Sequence, residues 1–227
     1  VLEGAAARVR LPPDVHLEPT DAGGVPGEWV TAPGARADRV LLYLHGGGYV
    51  AGSPASHRAM TAAISRAARV RVLAIDYRLA PEHPFPAALD DAVAAYAWLL
   101  EQGYRARSMA IGGDSAGGGL TAATLVRLRD EGRPLPAAGF MFSPWADLAG
   151  TGESVKSRAR LDPMIVGDLA LFGKFYVGPG GDPCHPLISP IHADLRGLPP
   201  LLIQVGTHEV LHDDAVRLAE RVRAAQG

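Results

Sequence analysis

Ser108-Met109-Ala110-Ile111-Gly112-Gly113-Asp114-Ser115-Ala116-Gly117-Gly118-Gly119-Leu120 is the stretch on which the fold turns. The run from Ser108 to Gly112 is short and largely apolar, as a buried strand is, and residues 116 to 131 read as a helix closed by Gly132 and Pro134. Between them lies Gly113-Asp114-Ser115-Ala116-Gly117, a G-x-S-x-G pattern in a strand-turn-helix context. Such a turn is tight enough to need glycine at both flanks. It lifts the serine hydroxyl above the carboxyl end of a sheet, at a helix N-terminus. Ser115 is therefore the candidate nucleophile.

Outward from this turn, apolar runs alternate with amphipathic stretches. Val40-Leu41-Leu42-Tyr43-Leu44 reads as a buried strand that ends at Gly46-Gly47-Gly48. Ser53-Pro54 supplies an N-cap and a first-turn proline for a helix to about Ala68, and Val70 to Ile75 is the next strand. Residues 87 to 101 form a helix with Leu89, Val93, Tyr96 and Leu100 on one face and Asp90 and Asp91 in its first turn. Ala138 to Phe142 and Leu201 to Val205 are further strands. A last helix, from about Leu211, carries Val216, Leu218 and Val222. Alternation of this kind, with strands apolar throughout, predicts an α/β fold: a mostly parallel sheet with helices on both faces. Residues 1 to 227 are expected to form a single domain, in which about 150 to 178, with a helix over Gly167 to Tyr176, interrupts the rhythm as a small cap-like insertion over the site.

His45-Gly46-Gly47-Gly48 leaves backbone N–H groups free to approach a substrate oxygen without a Cβ in the way. A phosphate-binding loop is excluded, because no Lys-Ser/Thr follows the glycines and the spacing is not G-x-G-x-x-G. Composition narrows the class further. Against 24 Asp and Glu stand 22 Lys and Arg, a net charge of −2, and no nucleic-acid binder is expected from such a balance. Arg66 to Arg69 and Arg127 to Arg129 read as solvated helix faces. Cys184 is the one cysteine, so no internal disulfide or thiolate metal cluster can form, and that usage fits the cytosol. No apolar run approaches the roughly 20 residues of a membrane span. No His/Cys/Asp cluster has ligand spacing, so neither metal nor cofactor is expected.

Six blocks together carry a resemblance. They are His45-Gly46-Gly47-Gly48-Tyr49-Val50, Asp76-Tyr77-Arg78-Leu79-Ala80-Pro81-Glu82-His83, Gly113 to Gly118, Ser143-Pro144-Trp145-Ala146-Asp147-Leu148, Asp182-Pro183 with Ser189-Pro190, and Leu198 to Ile203. In this order, from about residue 25 onward, the chain resembles the hormone-sensitive lipase family of bacterial esterases, of the α/β-hydrolase fold. The resemblance implies a serine carboxylester hydrolase that acts on short- to medium-chain esters through an acyl-enzyme. It implies Ser115 as nucleophile and an oxyanion hole from the N–H groups of Gly47, Gly48 and Ala116. His45 would shape the loop, and Tyr77 to His83 would shape a turn with prolines and a buried Arg–Glu arrangement.

The family's acid follows the strand at Leu201 to Val205, usually as Asp before Pro-Leu. Aligning Val210-Leu211 to that Pro-Leu puts Glu209 at the acid position, a departure from the commoner Asp, with Asp213 as the alternative. No histidine follows Asp214. His208 and His212 flank the acid too closely to face it, and His16, His57, His83, His185 and His192 are expected in loops away from the strand ends. The base is accordingly expected beyond Gly227, with the last strand and helix of the fold, and the N-terminal cap before Val1. The acyl pocket would draw Met164, Leu171, Phe172 and Phe175 from the insertion. A ligand-binding member of the same fold, without turnover, is the alternative reading, and peptidase or amidase activity a weaker one. The family leaves a homodimer open for the full-length parent.

Overall fold

The computed structural model describes residues 11–165 and 169–226. A seven-stranded sheet organises them, in the order β1-β2-β4-β3-β5-β6-β7. The strands are β1 (His16–Asp21), β2 (Pro26–Thr31), β3 (Arg36–Leu44), β4 (Val70–Ile75), β5 (Met109–Asp114), β6 (Ala138–Phe142) and β7 (Leu201–Gln204). The five from β3 to β7 are mutually parallel, and β1 and β2 join through antiparallel pairs. Parallel neighbours need crossovers, which the helices supply. These are α1 (Pro54–Ala68), α2 (Ala87–Glu101), α3 (Ala116–Asp130), the short α4 (Ser154–Ser157), α5 (Leu169–Val177) and α6 (His212–Gln226).

Strand β3 shows why both faces are covered. Val40, Leu42 and Leu44 point into the larger core, with α2, α3 and α6, while Leu41 and Tyr43 point into a second core with Ala62 of α1. Ser53 caps α1 in a reciprocal box with Ser56, and Pro54 opens the first turn, as expected. In α6 the buried stripe is Ala215, Leu218 and Val222, preceded by Leu211, whereas Val216 is exposed. The antiparallel pair β1–β2 was not legible as such, since β1 (His16-Leu17-Glu18-Pro19-Thr20-Asp21) has Leu17 against the second core but no alternation of apolar residues.

Two sequence expectations are corrected by side-chain geometry. Arg78 does not pair with Glu82 but with Asp91 of α2, at 2.7 Å, and its side chain is half exposed. Nor is His57 in a loop, or His16: His57 sits in the first turns of α1 and His16 opens β1. Residues 167 and 168 of the expected helix over Gly167 to Tyr176 lie outside the described residues, and the described part runs from Leu169 to Val177.

The two sheet edges differ. Edge strand β1 carries Pro19, which cannot donate to a further strand, along with Glu18 and Asp21. Edge strand β7 is Leu-Leu-Ile-Gln, with Leu202 61% exposed beside Phe140 of β6. Among the described residues nothing in β7 blocks pairing with a further strand. The 227-residue chain is expected to self-associate through β7, and Leu202→Lys to shift it toward monomer in sedimentation velocity. Unchanged association in that variant would place the contact elsewhere.

Candidate active site

Ser115 follows the last residue of β5 and precedes the first of α3, with φ 52° and ψ −119°. A positive φ is costly for a residue with a Cβ, on the order of 1–3 kcal/mol, and persists only where the surroundings over-determine it. Here they do. The Ser115 N–H donates to the Phe142 carbonyl at 2.8 Å, and its own carbonyl accepts from Trp145 (2.9 Å) and Gly119 (3.1 Å). A Cβ on Gly113 would strike the Leu44 carbonyl and the next turn of α3, and one on Gly117 would strike the carbonyls of Leu44 and His45. The elbow thus closes directly onto the end of β3. Ser115 stays partly exposed.

The glycine loop leaves that same end. Gly47 and Gly48 have φ 127° and 65°, and a Cβ on Gly47 would enter the Ala51 carbonyl. Among the described residues no acceptor takes the N–H of Gly47 or Gly48. Ala116 is the first residue of α3, a position whose N–H has no partner inside a helix. His45 is buried, stacked on Tyr77 at 4.2 Å, with Nδ1 2.8 Å from the Gly46 carbonyl, and its own carbonyl accepts from the Tyr77 hydroxyl at 2.6 Å. Burial pushes its pKa down to about 4, against the pull of the Gly46 carbonyl, so the ring is neutral and Nδ1 is the donor.

Asp114, the variable residue of the motif, joins the two loops. Its Oδ1 accepts from the Gly46 N–H at 3.0 Å and from the Tyr43 hydroxyl at 2.6 Å, and its Oδ2 lies 3.4 Å from His57 Nε2. Burial opposes charge on both partners, yet their mutual attraction prevails: the His57 pKa is raised and that of Asp114 lowered. Sequence reasoning missed this pair, although Asp114 lies inside the motif it quoted.

The loop with the two expected acids follows β7. Glu209 is partly buried and its Oε1 accepts from the nearby Gly206 N–H at 2.7 Å. Asp213 is engaged more widely: Oδ2 accepts from the Ser154 N–H at 2.9 Å, Oδ1 lies 3.2 Å from His212 Nδ1, and the Asp213 N–H donates to Ser154 Oγ. Asp162 fixes the loop from the insertion, its Oδ2 accepting from the Val210 N–H at 2.8 Å. Of the expected pocket residues, Phe172 packs over the glycine loop, its ring Cδ2 3.0 Å from where a Gly48 Cβ would sit. Phe175 lines a separate surface groove of about 630 Å³ with Pro81, Pro84 and Leu148. Met164 is 81% exposed and Leu171 is exposed as well, so neither is enclosed in a pocket. Among the described residues no group of His, Cys, Asp and Glu has the geometry to hold a metal ion. No described helix is long and apolar enough to cross a membrane.

The family described as alpha/beta hydrolase fold matches residues 41–227. An acetyl-hydrolase of Streptomyces hygroscopicus is 53% identical over 199 residues, covering 87% of this chain and 66% of that protein. The crystal structure of an esterase from the bacterial hormone-sensitive lipase family superposes with a TM-score of 0.96 at 53% identity, over 99% of this chain and 75% of that one. The esterase EstE5, crystallised and soaked with p-nitrophenyl butyrate, gives 0.95 at 49% identity over the same shares. The chain therefore spans about two thirds to three quarters of the length of these relatives.

One buried carboxyl stands apart from these loops' open ends. Asp214 is fully buried; its Oδ2 accepts from the N–H groups of Ala146 and Asp147, while Oδ1 has no partner among the described residues. Burial, then the neighbouring Asp147 charge, push its pKa up to about 7, against those N–H groups and Arg217. Because the folded value lies above the unfolded one of 3.8, the contribution to stability is present at low pH and is lost as pH rises toward 7. Asp214→Asn keeps an oxygen for both N–H groups and cannot ionise. Its melting temperature is expected to fall less than the parent's between pH 5 and 8, a difference on the order of a few kcal/mol in stability. Parallel pH profiles would show that Asp214 does not titrate in this range.

Proposed function

The chain belongs to the α/β hydrolases, in their hormone-sensitive lipase family, and from that premise we propose that its protein hydrolyses small carboxylic esters through an acyl-enzyme on Ser115. The observation that carries this reading is the strained elbow, with Ser115 at φ 52° beside a glycine loop in which the Gly47 and Gly48 N–H groups are unengaged among the described residues. In the proposed reaction Ser115 Oγ attacks the ester carbonyl carbon and gives its proton to an imidazole base. The N–H groups of Gly47, Gly48 and Ala116 take the oxyanion. The tetrahedral intermediate collapses, the alcohol leaves with that proton, and water releases the acid and restores Ser115.

The base in this proposal is a histidine outside the 227 residues. His45 and His57 are held in the contacts above, His212 lies against Asp213, and His208 is exposed beside the acid. Glu209 is the proposed orienting acid, ahead of Asp213. What supports the order is that Asp213 already joins Ser154 and His212, whereas Glu209 accepts from its local Gly206 amide. Residues 150–178 are read as a small cap in one domain with the sheet, supported by Phe172 over Gly48 and Tyr176 stacked on Tyr49 at 3.7 Å. Phe172 packed over Gly48 suits a short acyl group, and the soak of EstE5 with p-nitrophenyl butyrate is in keeping with it. We also read the protein as cytoplasmic, consistent with the free, exposed Cys184, and leave a homodimer open for the full-length protein.

The full-length protein is expected to hydrolyse p-nitrophenyl acetate or butyrate faster than the palmitate ester. Ser115→Ala should lower kcat on the order of 10⁶-fold. Retained activity would refute Ser115 as nucleophile, and ester binding without turnover by the parent protein would favour the ligand-binding alternative.

In the same assay Glu209→Gln is expected to cost on the order of 10⁴-fold in kcat, as in related triads, and Asp213→Asn much less. The reverse order would make Asp213 the orienting acid.

A further inference from the structure

We propose that Asp114 is a positioning residue for the oxyanion loop: held by His57 of α1, its carboxylate fixes the Gly46 N–H and thereby the direction in which the Gly47 and Gly48 amides point. The inference rests on the reading of those two amides as oxyanion donors.

The geometry is specific. Asp114 and Leu44 end the two central strands, β5 and β3, which pair in parallel with Leu44 opposite Gly113. Past those ends the chains diverge, one into the glycine loop and the other into Ser115, with no sheet bond to hold them together. The Asp114 Oδ1 spans that gap, accepting from the first amide of the loop at 3.0 Å. Its own rotamer is fixed from two further elements, by the Tyr43 hydroxyl of β3 at 2.6 Å and by His57 Nε2 of α1 at 3.4 Å. His57 is in turn oriented through Nδ1, which lies 2.8 Å from Ser56 Oγ and 3.3 Å from the Ser53 carbonyl at the cap of α1. The fit at Gly46 is close enough that a Cβ there would run into the Asp114 carboxylate.

Three consecutive glycines have no side chains with which to hold a conformation of their own. A loop that must present N–H groups to a developing charge, without reorganising during the step, therefore needs an external anchor. The Asp114 carboxylate is such an anchor, next in sequence to the nucleophile, so that the donors and Ser115 move as one unit. Loss of the anchor should weaken interactions made in the transition state more than those made with bound substrate.

The test uses the full-length protein, p-nitrophenyl butyrate as substrate and butylboronic acid, which forms a tetrahedral adduct with an active serine, as probe. Asp114→Ala is expected to lower kcat about 10- to 100-fold, with KM changed less than about threefold, and to weaken boronate inhibition by a similar factor. Asp114→Asn should recover most of both, because its carboxamide oxygen can still accept from Gly46 and Tyr43. His57→Ala should cost about three- to tenfold in kcat, and His57→Gln, which can donate to Asp114, should recover part of it. If Asp114→Ala and His57→Ala lower the melting temperature but leave kcat and boronate affinity unchanged, the pair is only structural and the proposal is overturned. Should Asp114→Ala fail to fold by circular dichroism, the His57 variants decide in the same way. Ser115→Ala in parallel separates the two levels: activity surviving in that variant sinks the serine acyl-enzyme reading on which the proposal rests, whereas its loss beside unaffected His57 and Asp114 variants sinks only the positioning role.

Discussion

The bond from the Gly46 N–H to the Asp114 carboxylate ties the ends of the two central strands together. A parallel sheet delivers chain ends to one edge but does not say how the loops beyond that edge sit against each other. In this protein the elbow glycines let α3 approach the Leu44 and His45 carbonyls, and the carboxylate then closes the remaining gap. The Phe142 carbonyl, on the Ser115 N–H, brings the next strand into the same knot. Strain at Ser115 is sustained because β3, β5, β6 and α3 all converge on it.

The segment between β6 and β7 serves two loops at once. On one side Phe172 and Tyr176 lie on the glycine loop, against Gly48 and Tyr49. On the other, Asp162 takes the Val210 N–H, and Ser154 donates from Oγ to the Val210 carbonyl and from N–H to Asp213. Asp214 adds a buried link from α6 to the loop after β6, through the N–H groups of Ala146 and Asp147. The loop after β7 is therefore held from the insertion and from the sheet together. A change in residues 150–178 would be felt both at the glycine loop and at the loop after β7, where the proposed oxyanion donors and the proposed acid sit.

Much of the fold was legible in the sequence because its signals are local. Val40-Leu41-Leu42-Tyr43-Leu44 followed by three glycines, and G-x-S-x-G between a strand and a helix, fix elements and their order without knowledge of any contact. What escaped is what depends on distant partners. Strand β1 has no apolar alternation and is a strand because its backbone pairs with β2, which no periodicity reveals. Arg78 has an acidic neighbour at Glu82 in sequence, yet the fold brings Asp91 of α2 to it. His57 looked like a loop residue far from the chemistry, and the four-residue step from the Ser53 cap turns it toward Asp114. The expected pocket residues were the least legible: hydrophobicity selected Met164, Phe172 and Phe175 alike, whereas Phe172 packs over the glycine loop, Phe175 lines a separate groove and Met164 is exposed.

The central claim is that Ser115 and the amides around it form one preorganised unit for a tetrahedral oxyanion. The most direct measurement is a crystal structure of the full-length protein after reaction with a short-chain alkylphosphonate ester. The account predicts phosphorus bonded to Ser115 Oγ and a phosphonyl oxygen within about 3 Å of the N–H groups of Gly47, Gly48 and Ala116. An adduct on another residue, or a phosphonyl oxygen turned away from those three amides, would contradict it.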